Sequence, residues 1–242
     1  MDEIQLLFNE IDKLSYPDSM KMVKGEIEVR AFFPGGKGTF SNGNTVSDKD
    51  IMILGQDFDC EANFEVSKTN KKEDINKNPT WRNLLAILKE ANISPDNCFF
   101  TNAILGVRKG SLGTGKSPAF RDSNFIKDCQ NFFLYQIETQ KPKAIFVLGK
   151  FAAQFLSKTS SKLNCWAGIK NFKTIDQQQF QLQKNVIFNN GIKSNLVLLT
   201  HPSYRPVNVS RRTYNGESGH NAELNMIKAV FIMALALFIM PF

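Results

Sequence analysis

Apolar and polar positions recur along this chain with two different periods, and those periods predict its elements. Ile4, Leu7, Phe8, Ile11 and Leu14 fall at helical spacing within residues 1–14, so the N-terminus reads as a helix buried along one face. Residues 16–50 lose that spacing; they hold Arg30, the run FFPGGKGTF at 32–40 and many Asn and Ser residues, and read as loop. Ile51 to Leu54 is a short unbroken apolar run, a buried strand, which stops at Gly55 and delivers Gln56, Asp57, Phe58, Asp59 and Cys60. The Lys- and Asn-rich residues 61–78 predict a mobile surface loop. Pro79 then opens a helix carrying Leu84, Leu85, Ile87 and Leu88.

A second strand, Asn97 to Leu105, embeds Asn102 among apolar residues, where its amide needs a partner. A helix over 124–138 leads to a third strand, KPKAIFVLG, ending at Gly149, and KFAAQFL begins another helix. Residues 157–194 carry no clear period, and the fourth strand, Asn195 to Thr200, ends in HPSYRP. Strands alternating with helices predict an α/β fold, a three-layer α/β/α sandwich around a four-stranded parallel sheet. We expect one domain over 1–242, with a helix-and-loop segment at 1–49 and an apolar helix or tail at 229–242.

In a parallel sheet every strand presents its carboxyl end to the same edge, where ligands collect. Asp57, Asn102 and His201, distant in sequence, are thereby brought to one site, although an aspartate after a strand also suits a helix N-cap. Charge sharpens the picture: 30 Lys+Arg against 23 Asp+Glu gives +7, which favours a polyanionic partner and equally fits a solvated basic surface. Cys60, Cys98, Cys129 and Cys165 contain no CxxC pair, which argues against a zinc site or a disulfide framework and for reduced thiols in a cytosol. The N-terminus is acidic, unlike a signal peptide. The uncharged stretch 229–240 is shorter than the roughly 18 residues a membrane span needs. A cytoplasmic monomer without a membrane segment is expected.

GQDFDC, FTNAIL, QIETQKPKAIFVLGKFAAQFL and LTHPSYRP, in that order, resemble the uracil-DNA glycosylase superfamily over roughly Asp50 to Pro206. The resemblance implies an enzyme that binds DNA, extrudes a uracil or related deaminated base and hydrolyses its N-glycosidic bond without metal or cofactor. It implies Asp57 and His201 as catalytic residues: Asp57 would orient water and stabilise a cationic sugar, and His201 would donate to uracil O2. Gln56, Phe58 and Asn102 would contact the base, with the Asn102 amide reading uracil against cytosine. Ser203 would take a phosphate. Arg205, with Tyr204 as competitor, would enter the base stack, and Arg211 and Arg212 would contact the DNA backbone, a solvated surface being an equal reading for those two. Phe64 and Trp81 are both candidates for the aromatic that stacks on the base. Phe58, Asp59 and Cys60 depart from the best-known branch, which has Pro, Tyr and His there; Asp59 replaces the tyrosine that blocks the thymine methyl, so lesion choice is open. The cysteine pattern of the iron–sulfur branch is absent, and no cluster is expected.

Three rival readings exist. Gly110–Ser117, GSLGTGKS, fits the phosphate-binding pattern GxxxxGK[ST], but Val107, Arg108 and Lys109 separate it from the strand and Pro118 follows where a helix should run. Cys60 with His201 could form a thiol hydrolase. A non-catalytic DNA-binding relative of the same fold is the third.

Overall fold

Strand geometry is set by a simple alternation: Ile51 and Ile53 enter one apolar layer while Met52 and Leu54 enter the other, so the run is buried on both faces. The structure, a computed structural model, describes residues 2–27, 30–40, 43–70 and 75–236, the last three by backbone alone. Its elements are α1 (Glu3–Ile11), β1 (Met20–Lys21), β2 (Ile51–Gly55), α2 (Glu61–Thr69), α3 (Pro79–Glu90), β3 (Cys98–Asn102), β4 (Val107–Arg108), α4 (Ser123–Gln140) and β5 (Ala144–Leu148). There follow α5 (Lys150–Leu156), α6 (Phe172–Gln177), β6 (Leu182–Ile187), β7 (Lys193–Leu199), α7 (Arg205–Asn208), β8 (Thr213–Tyr214), β9 (Glu217–Ser218) and α8 (Gly219–Ala236).

The main sheet has the order β3-β2-β5-β7-β6. Its first four strands are parallel, as the alternation predicts, and α1, α4 and α5 bury one face while α3 and α8 bury the other. The fifth strand was not expected. β6 runs antiparallel along the β7 edge with a bulge between Gln183 and Val186, where Asn185 takes φ 51°. That extra residue breaks the period-2 pattern, which is why QLQKNVI carries no strand signal.

Residues 61–69 are a helix, not the mobile loop their composition suggests. Phe64 is buried edge-on against Phe58, with centroids 5.3 Å apart, and Glu61 and Glu65 both pair with Lys21 at 2.9 and 3.2 Å. One apolar anchor and two ion pairs suffice here; residues 71–74 of the same stretch lie outside the described residues. α8 lays Ala222, Met226, Ile227 and Val230 onto the sheet, and residues 237–242 of the apolar tail lie outside the described residues. Among the described residues no helix is long and apolar enough to cross a membrane.

A buried ion network joins α8 to the end of β7. Arg212, fully buried, donates from Nε and Nη2 to Asp176 at 2.9 and 3.0 Å, from Nη1 to Glu223 at 2.8 Å, and from Nη2 also to the Leu198 carbonyl at 3.0 Å. Glu223 in turn accepts the Thr200 amide at 2.5 Å. The expectation that Arg212 contacts DNA is thereby corrected. Removing it strands the buried Asp176 carboxylate and takes one of two guanidinium partners from Glu223, so Arg212→Ala is expected to cost about 3–5 kcal/mol in urea unfolding.

Candidate active site

The parallel strands end at one level. Gly55 pairs with Asn102, Leu54 with Val147, and Leu148 with Leu199. Over these ends opens a cleft of about 1480 Å³, and Asp57, Asn102 and His201 all line it. The three residues nominated from sequence therefore share one cavity, which is larger than the roughly 300–1,000 Å³ of a small-molecule pocket.

His201 follows β7 and starts the 3-10 turn Pro202–Tyr204. Its Nδ1 lies 2.8 Å from the Ser203 hydroxyl and accepts the Ser203 amide at 3.4 Å. Two donors at Nδ1 leave the ring proton on Nε2. Burial holds the imidazole down to about 4, with the nearby Asp59 charge opposing and Arg108 assisting. His201 is thus a neutral donor. Ser203 also lines the cleft, with its hydroxyl against the imidazole.

Asn102 is 4 % exposed, and its Nδ2 donates to the Phe33 carbonyl at 3.3 Å, which fixes which end of the amide is the donor. Gly55 makes room for it: a Cβ there would lie 2.4 Å from Asn102 Oδ1. Phe32, 8 % exposed, lies alongside, tilted on Trp81 with centroids 5.1 Å apart, and lines the cleft. It is a cleft aromatic not singled out from the sequence, because it sits beside the irregular PGG segment. That segment docks on β3 through Phe33, whose amide bonds to the Phe100 carbonyl at 2.9 Å. Of the candidates named from sequence, Trp81 lines the cleft while Phe64 does not, being buried behind Phe58. Phe58 lines it too, with its ring pressed under Gly35, where a Cβ would approach within 2.5 Å.

Asp57 has a partner not foreseen. Arg108 lays its guanidinium across both carboxylate oxygens, Nε to Oδ2 at 2.6 Å and Nη2 to Oδ1 at 3.1 Å, and each side chain is 4 % exposed. Burial pushes the Asp57 carboxyl up, and Arg108 and Ser117 pull against it. Arg108 also donates to the carbonyls of Thr114 and Gly115 at 2.7 and 3.1 Å. Gln56 adds a bond from Nε2 to Gly115 O at 3.1 Å and accepts the Ser117 amide at 3.4 Å. The Gly110–Ser117 loop therefore turns carbonyls inward, the wrong polarity for phosphate, and Lys116 lies over Phe120 at 4.6 Å. The nucleotide-binding reading is corrected on that ground.

Tyr204, 47 % exposed, and Arg211 stand on the rim. Arg205 does not: it is 8 % exposed, ion-paired with Glu223 and bonded from Nη2 to His220 Nδ1 at 2.8 Å, so it is not placed to enter a base stack. Lys150, Lys170 and Lys173 share the rim with Arg211. Cys60 is fully buried at the start of α2 and does not line the cleft, which removes the thiol reading. Cys98 and Cys129 are also buried; desolvation raises the Cys98 thiol and pushes Cys129 up to about 12. Among the described residues no group of three or more His, Cys, Asp or Glu side chains is placed to hold a metal ion.

The chain matches the uracil DNA glycosylase superfamily over residues 40–224, a span that holds every strand of the main sheet, and it belongs to that superfamily. Phe32 lies ahead of the matched region. No curated protein matches the chain.

The neutrality of His201 has a pH signature. Its pKa falls from 6.5 to about 4 on folding. Above about 6.5 neither folded nor unfolded chain is protonated there and the group adds no pH dependence. As pH falls from there towards 4 the unfolded chain takes up a proton that the folded chain refuses, so stability is lost, by roughly 3 kcal/mol in all. Urea melts at pH 7 and pH 4.5 are expected to show a smaller loss in His201→Gln than in wild type.

Proposed function

We propose that the protein is a DNA glycosylase that hydrolyses the N-glycosidic bond of an extruded uracil, or a related deaminated base, in base-excision repair. The observation that carries this reading is a neutral imidazole and a fixed amide, His201 and Asn102, opening on one cleft that Phe32 also lines. A pyrimidine stacked on Phe32 would offer O4 to the second Nδ2 hydrogen of Asn102 and N3–H to Oδ1. Cytosine presents the reverse pattern and is refused. As the glycosidic bond breaks, its electron pair moves onto the base, and His201 Nε2–H donates to O2, where that charge gathers. A donor preorganised in a site with little water is worth about 100- to 1,000-fold in rate.

DNA recognition is supported by the rim. Lys150, Lys170, Lys173 and Arg211 surround the mouth, where phosphates would lie, and Tyr204 stands exposed beside them to fill the gap left by the extruded nucleotide. The bidentate Arg108–Asp57 pair favours one other reading, a DNA-binding relative without turnover, since it occupies both oxygens of the expected catalytic acid.

Oligonucleotides carrying uracil opposite G or A, thymine opposite G, or hypoxanthine separate the two when scored for alkali-labile sites. Wild type is expected to cleave uracil substrates, with His201→Ala slower by about 100-fold or more and Asn102→Asp losing uracil cleavage. Binding should weaken steeply with salt. Wild type that binds uracil DNA and leaves every substrate intact would reject catalysis.

A further inference from the structure

Leu112 is, at 73 %, the most exposed large apolar side chain among the described residues, and it lines the cleft. A single exposed leucine is ordinary on a protein surface. This one is set apart by the loop that carries it. The Gly110 carbonyl accepts the Ala62 amide at 3.2 Å, and Gly113 closes against Asp59 so tightly that a Cβ there would come within 1.7 Å of its Oδ1. Arg108 holds the carbonyls of Thr114 and Gly115, and Gln56 fastens the far end through the Gly115 carbonyl at 3.1 Å and the Ser117 amide at 3.4 Å. The backbone is thus fixed on both sides of residue 112, and little further ordering is needed when a ligand meets the leucine.

Position decides what it faces. The strand order is β3-β2-β5-β7; the Gly-rich loop is tied to the end of β2 beside β3, while the turn carrying His201 and Tyr204 follows β7. At about 4.8 Å per strand the outer two ends stand roughly 14 Å apart. Leu112 and Tyr204, both exposed, therefore stand on opposite walls of one cleft. A small ligand seated over the strand ends would leave both in water, whereas a partner broad enough to span the mouth covers them. Ser111 to Gly115 bring no carboxylate to their wall, and of the carboxylates beside the loop Glu61 is paired with Lys21 and Asp59 caps the Cys60 amide. Lys150, Lys170, Lys173 and Arg211 make the rest of the rim positive, so the spanning partner that fits is a polyanion with apolar faces, as duplex DNA is.

We propose that Leu112 is a second wedge, which packs on the face of a base beside the extruded nucleotide from the wall opposite Tyr204. The assignment rests on the base-extruding reading above. Apolar side chains set into a base step offset part of the cost of unstacking it. Tyr204 fills the gap, and Leu112 keeps the neighbouring base from restacking across it. A single strand offers no paired stack to open, so the leucine matters for duplex DNA.

The test uses the full chain and a duplex carrying 2′-fluoro-2′-deoxyuridine opposite G, with 2-aminopurine as the neighbouring base. The fluorine withdraws electrons from the sugar and so blocks hydrolysis, and 2-aminopurine brightens when it loses its stacking partners. Wild type is expected to raise the fluorescence on binding. Leu112→Ala is expected to keep wild-type Tm and single-strand affinity, to lose most of that rise and to bind the duplex about 10-fold more weakly; Leu112→Phe is expected to restore both. Equal losses of affinity for duplex and single strand would make Leu112 a general contact and overturn the assignment. A wild-type dimer that Leu112→Ala dissociates would give the leucine to a second copy of this chain and overturn it as well. Wild type that binds the duplex with no rise removes the base-extruding reading and this assignment together; a wild-type rise that persists unchanged in Leu112→Ala removes this one alone.

Discussion

A guanidinium laid across a carboxylate at the end of β2 is the contact on which the cleft depends. Arg108 reaches Asp57 through two bonds and the Gly-rich loop through two more, and its own amide is held by the Asp59 carbonyl at 3.0 Å. It stands opposite Met20 in the β1–β4 pair, so the same residue ties the N-terminal segment to the sheet edge. Buried pairs of this kind add little net stability, because desolvation offsets their attraction, yet losing either partner leaves an unpaired charge in a dry place. The pair therefore fixes geometry: three segments far apart in sequence can meet at the β2 end in only one arrangement.

A comparable argument applies at the other side of the cleft. The turn carrying His201 is held from behind by Glu223 of α8, which accepts the Thr200 amide and is itself held by Arg212. Arg205, two positions beyond Ser203, is drawn back into this network instead of projecting towards a ligand. A buried carboxylate attracts the nearest guanidinium more strongly than solvent does. Tyr204, with no such partner, is the residue of that turn left exposed. Local sequence sets which residues the turn contains, and the acid on a distant helix decides which of them faces outward.

What could be read in the sequence follows the same division. The four parallel strands and the convergence of Asp57, Asn102 and His201 were legible because unbroken apolar runs ending in polar residues have few alternatives in an α/β chain. β6 was not, since its bulge removes the alternation, and α2 was not, since one buried Phe64 is too little signal among lysines and asparagines. Phe32 and Arg108 escaped for another reason. Each lies in a segment of two or three extended residues whose place is set by tertiary pairing, Phe33 on β3 and Arg108 on β1, and no local period announces it. The site is thus legible where strands deliver it and hidden where loops do.

The Gly110–Ser117 loop shows how far residue types can mislead when backbone direction is unknown. GSLGTGKS has the glycines and the lysine of a phosphate cradle, and such a cradle works because successive amides point at the anion. Here Thr114 and Gly115 point carbonyls at Arg108 instead, while Gly110 and Gly115 take φ 86° and 79°. Glycine permits either orientation, since it adopts positive φ at little cost. Which one forms is decided by the charge already present at the strand end. Asp57 recruits a cation, the cation recruits carbonyls, and a sequence that elsewhere would wrap a phosphate becomes the wall of a cleft.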